Sequence, residues 1–204
     1  MYKIGLCGGI GSGKNLAQDF FAEFGVPGLD ADEVYRRLTE SPSACTRILA
    51  DAFGDDILNG DGSLNRRALA ALVFGAEEEA RERRKLLNRL THGVILEECR
   101  DFFKKAEADG AFAALINAPL LLESGFSSEC DLTVAILADR ETRVCRIMAR
   151  NGFSRNEAEA RIDAQPDEIY LRDHTDYQLE NNGTREELKE KVRAFCLGLA
   201  MKGE

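Results

Sequence analysis

The chain has 204 residues, room for one core with an insertion, and its 44% hydrophobic and 31% charged side chains match a folded globular protein and exclude an intrinsically disordered one. A formal net charge of −9 repels polyanions over most of the surface, which argues against a nucleic-acid partner and requires any anionic ligand to meet locally gathered cations. The six cysteines form no CxxC pair and only two histidines, His92 and His174, are present, so neither a zinc site nor a disulfide framework is expected, and scattered thiols suit a reducing cytoplasm.

The opening Met1-Tyr2-Lys3-Ile4-Gly5 lacks the apolar run of a signal peptide, and the longest apolar stretch, Ala111 to Leu122, is broken by Asn117 and Pro119, so no membrane segment is expected. Tyr2 to Cys7 is a short apolar run ending at glycines, and Leu16, Phe20 and Phe24 then recur at helical spacing up to Gly25, which predicts strand, loop and helix. Val26 to Leu29 predicts a second strand, closed by Asp30-Ala31-Asp32 before a helix from about Glu33. From there to about Ala108 the pattern is mainly helical, punctuated at Ser41-Pro42, Gly54 and Asn59-Gly60-Asp61-Gly62. Ala111–Ala118 and Asp131–Leu137 have the length and apolarity of buried parallel strands. Asp139 is placed to cap a helix to about Asn151, and Ser154-Arg155-Asn156-Glu157 is a capping box opening another. Tyr177–Glu180 predicts a last short strand, and Thr184-Arg185-Glu186-Glu187 a box before the C-terminal helix. Alternating strands and helices imply a parallel sheet covered on both faces.

The chemistry concentrates in Gly8-Gly9-Ile10-Gly11-Ser12-Gly13-Lys14-Asn15, which fits G-x-x-x-x-G-K and departs from the full motif only at Asn15, where Ser or Thr is required. Glycines let the backbone turn its N–H groups onto phosphate oxygens, and Lys14 reaches the terminal phosphates. The motif therefore predicts ATP binding through Gly9, Gly11, Ser12, Gly13, Lys14, Asn15 and Leu16, with Mg²⁺ as the accompanying ion. Asn15 bears more on that metal than on the phosphates, because its amide oxygen is longer and bulkier than a hydroxyl. The run Ala113-Ala114-Leu115-Ile116 ends in Asn117 and supplies no strand-terminal acid. Asp30 and Asp32, at the end of the second strand, are the carboxylates placed to contact the metal or take a substrate proton, as against an N-cap and a solvated acid.

Arg143, Arg146 and Arg150 share one helix face, and Arg155 and Arg161 follow on the next helix. Such a face on an acidic chain suits a lid over phosphates, or a solvated surface. Arg66-Arg67 follows the Gly60 turn and is placed to meet a substrate phosphate, while His92 either contacts substrate or satisfies helix packing.

In order along nearly the whole chain, these segments resemble the dephospho-coenzyme A kinase family. The resemblance is carried by Leu6 to Lys14, Leu29-Asp30-Ala31-Asp32, Asp61 to Leu69 with Val73-Phe74, Pro119-Leu120-Leu121-Leu122-Glu123, Arg150 with Gly152-Phe153-Ser154, Glu157 to Ile162 with Gln165, and Asp176-Tyr177 before Asn181-Asn182-Gly183. It implies an α/β fold: a P-loop NTPase-like parallel sheet flanked by helices, with a helical substrate-binding insertion and a helical lid. The implied boundaries are a core at about 1–32, 111–139 and 176–204, an insertion for the coenzyme A moiety at about 33–108 and a lid at about 140–170. It further implies an enzyme that moves the γ-phosphate of ATP to the 3′-hydroxyl of dephospho-CoA, and a cytoplasmic monomer is expected. By matching positions Asp32 is the base, Lys14 the phosphate clamp and Arg150 a lid cation; Arg146 and Asn181 join the nucleotide site, Arg66, His92 and Leu120 the substrate site, and Asn15 and Asp30 the metal site. The chain departs from the family at Cys7, where Thr is usual, and at Asn15, Gly93 and Leu122.

Other readings are a P-loop kinase of another small hydroxyl substrate and a binding homologue without turnover, the latter motivated by Asn15. A GTPase-like switch finds only a formal D-x-x-G at Asp51-Ala52-Phe53-Gly54 and no N-K-x-D.

Overall fold

The computed structural model describes residues 1–40, 42–73 and 77–201; Ser41 of the predicted turn and Phe74 of the quoted motif lie outside them. Strands β1 (Tyr2–Cys7), β2 (Gly28–Asp30), β3 (Ala113–Asn117), β4 (Leu132–Leu137) and β5 (Tyr177–Glu180) form one sheet in the order β2-β3-β1-β4-β5. Every pairing is parallel, with Ile4 in register with Leu115 on one side and Leu132 on the other. The helices among the described residues are α1 (Lys14–Glu23), α2 (Ala31–Glu40), α3 (Ala44–Phe53), α4 (Arg66–Val73), α5 (Glu78–Ala108), α6 (Arg140–Asn151), α7 (Arg155–Asp163), α8 (Glu168–Asp173) and α9 (Arg185–Ala200).

Parallel strands buried on both faces read as unbroken apolar runs, and their alternate side chains serve opposite layers. Ile4, Leu6, Ala113, Leu115, Val134 and Ile136 pack on one face against Phe20 and Phe21 of α1 and Leu188, Val192 and Leu199 of α9. On the other face Gly5 faces Leu121: a Cβ on Gly5 would lie 2.6 Å from Leu121 Cδ2 and 3.1 Å from Cys130 Sγ. This chain layer, Met1–Asp30 with the segment from Phe102 onward, is one compact unit.

Ala31–Asp101 is a second unit with its own core of Cys45, Leu49, Ile57, Leu64, Leu69 and Val73. Ser43 caps α3 through a full box with Thr46, and the predicted Asn59–Gly62 turn folds back so that Leu58 bridges Leu64 in antiparallel fashion.

Two local expectations shift for physical reasons. The second strand begins at Gly28 rather than Val26, because Gly25 takes φ 81° and the Val26 N–H still closes α1 on Phe21 O at 2.9 Å. Asp139 stands at the N-cap of α6 without a side-chain cap; its own N–H donates instead to Asn182 Oδ1 at 2.7 Å. The Ser154–Glu157 box forms in full, and Thr184 accepts from Glu187 N–H. Helix α8, capped by Asp167, carried no distinct periodic signal.

Gly5 has no room for a larger residue, so Gly5→Val is expected to destabilise the protein by about 1–3 kcal/mol, and Leu121→Ala to recover part of that loss. Thermal melting of the single and double variants checks this; an unchanged melting temperature for Gly5→Val would contradict the packing.

Candidate active site

β1 ends in the middle of the sheet, with β3 and β4 on either side, the place where strand connections diverge and α/β sheets bind ligands at their carboxyl edge. There Gly8 to Gly13 turn sharply into α1. Gly13 is the N-cap at φ 98°, and a Cβ on it would lie 2.3 Å from Asn181 Nδ2. A Cβ on Gly8, at φ 147°, would lie 2.4 Å from the Ile136 carbonyl oxygen. Only glycine meets both the dihedral and the space at these two positions.

Three side chains hold the loop from behind. Arg143 Nε donates to Ile10 O at 2.9 Å. Arg146 Nη1 donates to Gly11 O and Ser12 O at 3.3 and 3.4 Å, with Nη2 on Asn181 O at 2.9 Å. Asn181 Nδ2 donates to Ser12 O at 2.7 Å. In a trans peptide the C=O and the next N–H point in opposite directions, so drawing the Ile10 and Ser12 carbonyls outward turns the Gly11 and Gly13 N–H groups the other way. Those groups join the N–H groups of the first turn of α1, for which a helix provides no intrahelical acceptor, to make an anion-binding nest at a helix N-terminus.

Arg143 is 7% exposed, and burial is the main influence pushing its guanidinium pKa down, with Arg140 adding to it. Its Nη2 also reaches Gln165 Oε1 at 3.4 Å, the oxygen that accepts from Ile10 N–H at 2.6 Å. Lys14, the first residue of α1, folds its ammonium back onto Gly8 O at 2.7 Å. Cys7 is buried below the loop, and burial pushes its thiol pKa up to about 12, against the opposing pull of Lys14.

Beside the nest lies a chain of amides. Asn15 Nδ2 donates to Asp30 Oδ2 at 3.2 Å, and Asn15 Oδ1 accepts from Asn117 Nδ2 at 3.1 Å. Asn117 Nδ2 also donates to Gln18 Oε1 at 2.9 Å. Asp30 and Asn117 end the neighbouring strands β2 and β3 in register.

The remaining predicted residues divide. Leu16 is half-buried against the sheet core. Arg150 is exposed at the end of α6 with Nε on Asn151 Oδ1 at 2.9 Å, so only the first two arginines of the predicted face reach the loop. Arg155 pairs with Glu141 and Glu159, and Arg161 lies 3.8 Å over the Phe153 ring. In the helical unit Asp32 is exposed in the first turn of α2, and His92 is half-buried on α5. Arg66 Nη2 donates to Thr39 Oγ1 at 2.9 Å, with its guanidinium 5.7 Å from the Tyr35 ring centroid. Leu120 is 47% exposed in the turn after β3. Sequence reasoning missed Arg143 as the loop's main support and Asn117 as the partner of Asn15; the shared face of Arg143 and Arg146 signalled a common target without naming it.

If Arg143 orients the loop, Arg143→Ala leaves Ile10 O without its buried donor and weakens ADP binding by at least about tenfold. Titration calorimetry on the folded variant checks this, and unchanged affinity would remove the role. The raised Cys7 pKa means the folded state keeps a proton that the unfolded chain gives up from about pH 9.0. Its contribution is intact below that pH and is lost as pH rises towards 12, so wild type is expected to lose melting temperature across that window more steeply than Cys7→Ala.

The family model described as dephospho-CoA kinase matches residues 2–187. A dephospho-CoA kinase of Corynebacterium glutamicum is 41% identical over 189 residues, covering 92% of each chain. Among solved structures, TT1252 from Thermus thermophilus aligns with a TM-score of 0.79 at 34% identity over 97% of each chain. The dephospho-CoA kinase of Campylobacter jejuni, 18% identical over 97% of each chain, shares the fold at a TM-score of 0.64. A P-loop at the centre of a five-stranded parallel sheet, matched over this length and at this identity, places the chain in the dephospho-CoA kinase family.

Proposed function

We infer that the chain transfers the γ-phosphoryl group of ATP to the 3′-hydroxyl of dephospho-CoA, giving CoA and ADP. The observation that carries this reading is the nest of N–H groups whose carbonyls are held outward by Arg143, Arg146 and Asn181; family membership supports the choice of acceptor.

In the step itself the acceptor oxygen forms a bond to the γ-phosphorus, the bond from that phosphorus to the β,γ-bridging oxygen breaks, and ADP leaves with the electron pair. The hydroxyl proton passes to Asp32, the exposed carboxylate two residues beyond the end of β2. Lys14 exchanges the Gly8 carbonyl for phosphate oxygens, so a cation already held at the loop meets the nucleotide. Arg150, exposed on α6, serves as the lid cation, and Arg66 and His92 contribute to acceptor binding in the helical unit. We assign that unit to the coenzyme A moiety and residues 140–170 to the lid.

Magnesium in kinases takes few protein ligands beside phosphate oxygens and water. The Asp30 carboxylate near the first turn of α1 fits that pattern, as does the buried Asn117 Oδ1, which has no hydrogen-bond partner among the described residues. No cluster of three His, Cys, Asp or Glu side chains among those residues would hold a cation without nucleotide. When bound, the ion neutralises charge on the β- and γ-phosphate oxygens. The six free cysteines support work in a reducing cytoplasm, and no described helix is long and apolar enough to cross a membrane.

Incubation with ATP, Mg²⁺ and dephospho-CoA is expected to yield CoA and ADP in equal amounts, with shikimate and nucleosides as poor acceptors. Asp32→Asn is expected to keep ATP affinity and lose at least about 10²-fold in kcat, the scale of a positioned base. No CoA above background from wild type would overturn the assigned reaction, and near-normal turnover by the variant would overturn the role of Asp32.

A further inference from the structure

Two residues depart from the metal-binding half of a P-loop site, and they are bonded to each other. Asn15 stands where a hydroxyl is required, and Asn117 ends β3 where a strand-terminal acid would serve the metal. Their amides meet at 3.1 Å, with Asn15 Nδ2 on Asp30 Oδ2 at 3.2 Å and Asn117 Nδ2 on Gln18 Oε1 at 2.9 Å. An ionised carboxylate only accepts. Asp30 therefore fixes which end of the Asn15 amide faces it, and the exposed oxygen of Asn15 in turn fixes Asn117. Both N–H groups of Asn117 are then engaged, and its oxygen is the atom left buried without a partner among the described residues.

We propose that Asn15 and Asn117 are a compensated pair, an amide bridge that joins α1 to the ends of β2 and β3 in place of a hydroxyl and an acid joined through magnesium. Asn15 is thus a positioning residue for Asp30 and not itself a metal ligand. Each half alone is wrong for the usual partner. A threonine at position 15 ends one bond short, which leaves one of the two Asn117 N–H groups without its acceptor and removes the Asn15 amide donor from Asp30. An aspartate at position 117 sets a carboxylate against two acceptor oxygens, Asn15 Oδ1 and Gln18 Oε1. Changed together, the two oxygens become neighbouring ligands of one octahedral ion, which places them about 3 Å apart for metal–oxygen distances of about 2.1 Å.

The proposal rests on the kinase reading only for the nucleotide in the cradle, so it is tested without turnover. A double-mutant cycle of Asn15→Thr and Asn117→Asp is followed by thermal melting and by calorimetric ADP titration in EDTA and in Mg²⁺. Each single variant is expected to melt below wild type and the double variant above either single. The gain in ADP affinity given by Mg²⁺ is expected to rise by about tenfold in the double variant and by less than about threefold in each single one, a coupling well beyond additivity. Additive melting shifts, or Asn15→Thr alone giving the full magnesium gain, would overturn the pairing. Should Asn117→Asp not fold, Asn15→Ala and Asn117→Ala form a second cycle: melting losses that overlap support the bridge, and losses that add overturn it. Failure to phosphorylate dephospho-CoA would overturn the assigned reaction and leave these outcomes as they stand.

Discussion

The site depends on the orientation of a few peptide planes. A glycine-rich loop left to itself samples many of them, because glycine loses more backbone freedom on ordering than any other residue. Here the carbonyls of Ile10, Gly11 and Ser12 are each held from outside by a cation or an amide, so the ordering cost is met on folding and the N–H face is set before nucleotide arrives. The same contacts explain the sheet's relation to α6: Arg143 and Arg146 root that helix in the loop, one of them almost wholly buried.

Charge is sorted accordingly. The chain is acidic overall, yet cations are gathered at the loop while many of the others pair along the surface, as Arg36 does with Glu33 and Glu40 and Arg172 with Glu168. Exposed pairs of this kind contribute little to stability. Their use is to leave the anion nest as a local exception in a repelling field, which favours a small multiply charged ligand over an extended polyanion.

Much of this was legible in the sequence where the determinants are contiguous. β1, β3 and β4 are continuous apolar runs because both of their faces are covered, and the Gly8–Lys14 loop is recognisable because dihedral, space and charge requirements fall on neighbouring residues. The supports were not legible for the opposite reason: Arg143 acts on Ile10 across 133 positions and Asn181 on Ser12 across 169, and spacing on a helix says which residues share a face but not what that face meets. Helix α8 was hidden by its six-residue length, too short for a 3.6-residue period to register. The two asparagines looked like independent losses because their contact, between residues 15 and 117, exists only once β3 lies beside β1, the strand that leads into α1.

The sulfur below the loop has a further consequence for survival under oxidising stress. Peroxide attacks the thiolate of an accessible cysteine and drives it towards sulfenic and then irreversible sulfinic acid. Cys7 sits directly before the phosphate cradle, where such a modification would push the loop out of shape, yet it is 1% exposed and holds its proton tightly. Cys145, on the outer side of α6, is exposed, so oxidation would begin on the surface of that helix, leaving the cradle intact.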